Sequence, residues 1–175
     1  MFEVRLSIMN SAIRRTWFSL SLLVLPILGS CAENRTSEVQ IGIVADVIDG
    51  DTVDLTIAGH SQRVRLIGID TPETKHPEKP VQCFGPEATR FTASLLAKGT
   101  EVRIERDAEA RDSYDRLLVY LFRTSDNLFV NLQIVQQGFA RVLTIEPNTT
   151  YMGEFVTAAR DARVNNRGLW NECQG

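Results

Sequence analysis

The residues with the most chemistry to offer lie in two short stretches, Asp49-Gly50-Asp51-Thr52 and Arg65-Leu66-Ile67-Gly68-Ile69-Asp70-Thr71-Pro72-Glu73. Asp51 and Asp70 are hard oxygen donors. With a nearby carbonyl they suit Ca2+ or Mg2+ and not a soft metal. So few protein ligands would leave positions open for water and a phosphate oxygen. Glu73, three residues beyond Asp70, is close enough to hold a water beside such an ion as general base. Arg65 carries a guanidinium fork, which binds phosphate bidentately and offsets charge that builds on it. A second such residue, Arg116, ends the run Asp112-Ser113-Tyr114-Asp115-Arg116. Metal, base and two arginines on one rim would make a phosphodiesterase site. Taken singly, each piece is an ordinary turn or a solvated strand residue. Only the four residue types in one order point to a mechanism.

The elements that must position these groups follow from the hydrophobic pattern. Val39–Val47 alternates apolar and polar residues and reads as a strand, with a turn at Asp49-Gly50 and a second strand at Thr52–Ile57. Ala58-Gly59-His60 marks another turn, and Gln62–Ile69 alternates again. In such a meander Asp51 begins one strand and Asp70 follows the next, so both fall on one rim. A proline-containing loop runs from Asp70 to Phe84. Gly85-Pro86 then opens a helix with proline in its first turn, which Gly99 closes. Glu101–Arg106 and Leu117–Phe122 read as a fourth and a fifth strand. Asn131 is expected to cap a helix through Gln137, ended by Gly138, and a third helix runs from Met152 to Asn165 with Gly168 terminating it. Five short strands with a helix inserted after the third predict an α+β fold: a small Greek-key barrel with about three helices, the later ones on its flank. Trp170 is expected to pack on that flank.

Composition sets the frame. The chain has 175 residues, 43% hydrophobic and 23% charged, which excludes a disordered, collagen-like or low-complexity polypeptide and allows one domain with one core. The formal charge of −3 excludes a generic polyanion-coating protein, so nucleic-acid contact must come from local placement of charge. Arg5, Arg14 and Arg15 precede the apolar run Trp17–Gly29, which reads as a secretory signal over residues 1–30, too short to span a bilayer comfortably. Leu28-Gly29-Ser30-Cys31 resembles a bacterial lipobox, so Cys31 is expected to carry lipid, plain signal cleavage near Ala32 being the alternative. Residues 31–38 then form a polar tether and 39–175 the folded domain of an exported protein. Its localisation is expected to be the periplasm or the cell envelope, otherwise secreted. Cys83 and Cys173 are an even pair, far apart, in an oxidising compartment. One disulfide is expected, two inert thiols being the alternative. The histidines, His60 and His76, complete no ligand set; His76 is expected to be exposed and outside the chemistry.

The stretches VIDGDTV, RLIGIDTPETKHP, GPEA, YDR, NLQIVQQGFARV and RGLW, in this order and spacing, resemble the staphylococcal nuclease (thermonuclease) family over roughly Val44 to Cys173. The resemblance implies an OB-fold barrel and a Ca2+-dependent endonuclease that accepts DNA and RNA and leaves 3′-phosphate ends. It implies that Asp51 and Asp70 bind calcium with the Thr71 carbonyl, that Glu73 activates water, and that Arg65 and Arg116 bind phosphate. Tyr114 is kept on the substrate side. All six of the metal and catalytic residues are present, which favours a working enzyme over a non-catalytic nucleic-acid-binding OB module or an envelope protein with a vestigial site. No obligate protein partner is implied, and a monomer is expected. The chain departs from the family at Asp115, where a glycine is usual, and at Ser113, where a lysine is. Two tyrosines that pack on the nucleotide base fall at about Thr144 and Glu146. Loss of such aromatic platforms removes about 1–3 kcal/mol of stacking per base. Glu146-Pro147 matches a position where the bond before proline is often cis.

Overall fold

Gln40–Asp49 form β1, a long strand that serves two neighbours at once. The computed structural model describes residues 39–75 and 80–173; the expected signal, tether and Cys31, and His76, lie outside the described residues. The C-terminal half of β1 pairs antiparallel with β2 (Thr52–Ile57), and its N-terminal half with β5 (Glu101–Glu105). Register shifts after Val44 and Val47 let β1 bend between the two. β2 returns through Ala58 and Gly59, both at positive φ (49° and 82°), into β3 (His60–Leu66), a backbone twist suited to a tight hairpin. β5 pairs with β6 (Leu117–Arg123), and β6 lies parallel to β3 through Val64–Leu117 and Leu66–Val119. That last pairing closes five strands into a barrel, as the OB-fold reading requires. Its interior is aliphatic: Val44, Val53, Leu55, Val64, Leu66, Val102, Val119 and Leu121 are all essentially inaccessible to solvent.

The structure corrects several expected boundaries. The strand expected at Gln62–Ile69 is two strands. β3 stops at Leu66, the chain turns at Gly68 (φ 83°), and β4 (Gly68–Asp70) pairs instead with β8 (Arg141–Leu143) in a second, two-stranded sheet. Glycine is required there: a Cβ at residue 68 would lie 2.3 Å from the Phe155 ring. β7 (Leu128–Phe129) is a two-residue edge on β6 that the pattern did not foretell.

Helix α1 (Gly85–Leu95) follows Phe84, which is held at φ 68°; it ends short of Gly99. α2 (Val130–Gln136) begins one residue before the expected cap. Asn131 is inside it and fully buried. Its carboxamide accepts the Leu121 N–H at 3.0 Å and donates to the carbonyls of Ile67 and Val119, so it serves strand backbone and not a helix end. α3 (Met152–Val164) turns Phe155, Ala158 and Ala162 inward. Gly168 does not stop that helix; it opens a short α4 (Leu169–Glu172), whose Leu169 is buried. Trp170 is half-buried, with the guanidinium carbons of Arg141 and Arg163 5.7 and 5.6 Å from its ring, and Leu169 fills the core position. Cys83 and Cys173 are joined in a disulfide, and the Glu146–Pro147 bond is cis.

Candidate active site

Asp51 is the buried residue on which the rim is built. It follows Gly50 in the β1–β2 turn, where a Cβ at residue 50 would press on Thr71 at 2.8 Å. That close approach lets Thr71 donate both its N–H and its hydroxyl to Asp51 Oδ2, each at 3.0 Å. Arg65 stands opposite Thr52 on β3. One terminal nitrogen donates to the carbonyls of Leu66 and Ile69 at 2.6 and 2.8 Å. The other lies 3.1 Å from Asp51 Oδ2 and 3.5 Å from Asp70 Oδ1. Asp51, Asp70, Thr71 and Arg65 are thus brought together, although 20 positions separate Asp51 from Thr71.

The rim carries more negative charge than its arginine offsets. Burial raises the Asp70 carboxyl above the usual carboxylate range, and the charges of Asp51 and Asp49 raise it further, against lowering by Arg65 and Arg141. Two carboxylates converging on one guanidinium, with Thr71 beside them, form an oxygen-rich, under-compensated set of the kind a divalent cation fits. Among the described residues no group of three His, Cys, Asp or Glu side chains is placed to bind a metal.

Glu73 is half-buried in the segment after β4, where its Oε1 accepts the Lys75 N–H at 2.6 Å. It shares a cleft of about 540 Å³ with Asp49, Thr52, Lys75, Tyr114 and Arg116. Arg116 is oriented by Asp112. The Asp112 carboxylate accepts Arg116 Nε at 2.7 Å, and also the main-chain N–H groups of Tyr114 and Arg116. Burial raises the Asp112 carboxyl, but these hydrogen bonds and the Arg116 charge outweigh it and hold the group below its ordinary value. Tyr114 is 80% exposed, its ring 5.5 Å from the Arg116 guanidinium carbon. Arg65, Tyr114 and Arg116 also line a second, contiguous cleft of about 360 Å³, so the two arginines share one groove and Arg116 and Glu73 share the other.

Asp115, at φ 64°, turns away from Arg116: its carboxylate lies 3.4 Å from Arg111, which also donates to its carbonyl at 2.6 Å. Thr144 and Glu146, expected where base-packing tyrosines fall, are exposed and outside the second cleft. Leu143 and Ile145 line it instead, so the wall is aliphatic.

Three supporting residues escaped the sequence reading. Asp49 is buried, and its Oδ1 accepts Gly50 N–H, Thr74 hydroxyl and Thr89 hydroxyl. Asp112 had a signal, an aspartate two and four residues before the N–H groups it caps. Gln82, which bonds both main-chain groups of Glu73, had none.

Comparison with known proteins shows the family. The family described as Staphylococcal nuclease homologue matches residues 63–172. The chain is 39% identical over 128 residues to a thermonuclease of Staphylococcus intermedius, covering 73% of this chain and 74% of that protein. It is 36% identical over 128 residues to a thermonuclease of Staphylococcus hyicus, with the same coverage. It is 35% identical over 127 residues to Endonuclease YncB of Bacillus subtilis, covering 71% of this chain and 59% of that protein.

Proposed function

Because this chain belongs to the staphylococcal nuclease homologue family, we propose that it is an endonuclease that hydrolyses phosphodiester bonds of DNA and RNA with little sequence preference, depends on Ca2+ and leaves 3′-phosphate ends. The observation that carries the reading is the Arg65 guanidinium, 3.1 Å from Asp51 and 3.5 Å from Asp70, in a groove that continues to Arg116.

The roles follow from the chemistry of each group. Asp51, Asp70 and the Thr71 carbonyl would hold Ca2+, which when bound polarises a phosphoryl oxygen as a Lewis acid. Glu73 takes a proton from the attacking water; the water oxygen bonds to phosphorus, and the 5′ oxygen departs and is protonated. Arg65 and Arg116 donate hydrogen bonds to the phosphoryl oxygens, where charge grows in the transition state. Asp112 holds Arg116 by Nε and leaves its two terminal nitrogens for phosphate. Tyr114 and the aliphatic wall at Leu143 and Ile145 bound the space for the nucleotide.

The test is digestion of single-stranded DNA and of RNA with Ca2+ and with excess EGTA, followed by end-group analysis of the products. Cleavage only with Ca2+ and 3′-phosphate ends are expected; undiminished cleavage in EGTA overturns the calcium requirement. We further propose that the protein is exported as a monomer and held at a membrane by lipid on Cys31, on the strength of the residues that precede that cysteine. Cys31→Ser should then move to the soluble fraction, and a variant that still sediments with membranes would refute the anchor.

A further inference from the structure

Glu73 sits outside the barrel strands, and among the described residues its main chain is hydrogen-bonded by one, Gln82. Its N–H donates to Gln82 Oε1 at 3.1 Å, and its carbonyl accepts the Gln82 N–H at 2.9 Å. The next residue, Cys83, is bonded to Cys173 across 90 positions of sequence. The residue after that, Phe84, is bulky and yet left-handed (φ 68°), a conformation that needs support. Its ring stacks on Phe139 at 5.2 Å. Gly85 then opens α1 against the same segment: a Cβ there would lie 3.0 Å from the Pro72 carbonyl and 3.2 Å from that of Glu73. The far end of the disulfide is equally anchored. Cys173 directly follows α4, whose Leu169 is buried and donates its N–H to the Gly138 carbonyl at 2.9 Å. Gly138 precedes Phe139, the partner of Phe84. Two routes, one covalent and one through stacked rings, therefore join residues 82–84 to the same point at the end of α2.

We infer that the Cys83–Cys173 disulfide, acting through Gln82, is a positioning device for Glu73, so that turnover depends on the redox state of this pair. A catalytic carboxylate must be held to a fraction of an ångström, and a segment outside the ladders does not hold itself. Among the described residues the Glu73 carboxylate accepts one hydrogen bond, from Lys75 N–H, and the neighbouring Thr74 reaches Asp49 at 3.0 Å. Both lie on the N-terminal side of the segment. Among the described residues Gln82 is the tie on the other side, and the disulfide fixes the residue beside it. Neither group touches substrate; both act through Glu73, and the inference rests on the reading of Glu73 as general base.

The experiment measures kcat and KM on single-stranded DNA in saturating Ca2+, with circular-dichroism melting to choose a temperature at which every variant is folded. Native chain, Cys83→Ser/Cys173→Ser and Gln82→Ala are each assayed with Glu73 and with Glu73→Gln. Cutting the disulfide and removing the Gln82 side chain should each lower kcat about tenfold with KM little changed, within the ~10²-fold that a misplaced catalytic group costs. Neither should lower the residual rate of Glu73→Gln further. A kcat unchanged by loss of the disulfide, or a loss equally large without Glu73, overturns the inference. If Glu73→Gln by itself keeps native turnover, the general-base reading fails and the inference falls with it, a result seen in a different variant.

Discussion

Arg65 and Asp51 form a nearly buried ion pair, 3.1 Å apart, with side chains only 13% and 10% exposed. The same guanidinium also donates to the carbonyls of Leu66 and Ile69, where β3 gives way to β4. A group proposed to grip phosphate therefore also holds the rim together. Arg65→Ala should cost stability as well as activity, on the order of 3 kcal/mol, because it strands a buried carboxylate and two carbonyls. Urea denaturation without metal measures this, and Ca2+ should restore part of the loss by supplying the missing positive charge. A loss well under about 1 kcal/mol would mean that solvent reaches Asp51 and the pair is weak.

Glu73→Gln should lower kcat by about 10²–10⁴-fold, the usual contribution of a general base, with KM little changed. Arg116→Ala should lower it by about 10²–10³-fold through lost transition-state stabilisation. Steady-state kinetics on single-stranded DNA separates the two parameters. A change under about tenfold for Glu73→Gln would make it a structural loop residue.

The Asp115 carboxylate lies 3.4 Å from Arg111, the ion pair it makes among the described residues. Asp115→Gly should relieve a left-handed backbone and raise stability by about 1 kcal/mol or less. Turnover should stay near the native value, since the acid does not face the second arginine. A clear rise in kcat would show that Asp115 attenuates Arg116 after all.

Asp107 accepts hydrogen bonds from the Tyr120 hydroxyl and from the N–H and hydroxyl of Thr150, tying the end of β5 to the segment before α3. Burial raises its carboxyl, but these bonds and one from Ala108 N–H outweigh it and leave the group below its ordinary value. A depressed folded-state carboxylate stabilises the fold above the unfolded value, near pH ~3.9, and the gain is lost as pH falls through the lower, folded one. Asp107→Asn should therefore be less stable than the native chain at neutral pH. The gap should narrow on acidification from neutrality to about pH 3. Urea midpoints across that range test it; a gap that widens towards low pH would contradict the assignment.

Much of the barrel was legible because its strands carry local signals. Alternation and turn residues place β1, β2 and β3, and proline in the first turn marks α1. The errors are equally physical. Gln62–Ile69 reads as one strand because alternation does not register a glycine at positive φ, and the break at Gly68 is imposed by Phe155, 87 positions later in the sequence. Asn131 reads as a cap because asparagine favours helix starts. It sits two residues past the true cap, Phe129, because β6 and Ile67 leave main-chain groups that its buried carboxamide satisfies.

The sequence alone determined the kinds of chemistry available: two carboxylates, a third acid three residues on, two arginines and a separated cysteine pair. Residue type and order are local properties, and the turns that carry these groups are coded by their own glycines and aspartates. Only the tertiary structure decided how they are supported. Arg65 bridges Asp51 and Asp70, Asp115 points to Arg111, Leu143 and Ile145 take the cleft wall, and Gln82 with the disulfide holds the main chain of Glu73. Those pairings depend on barrel closure, which brings β3 beside β6, and on the docking of α4 against the end of α2. They join residues tens of positions apart through packing and hydrogen bonds that no short window of sequence contains.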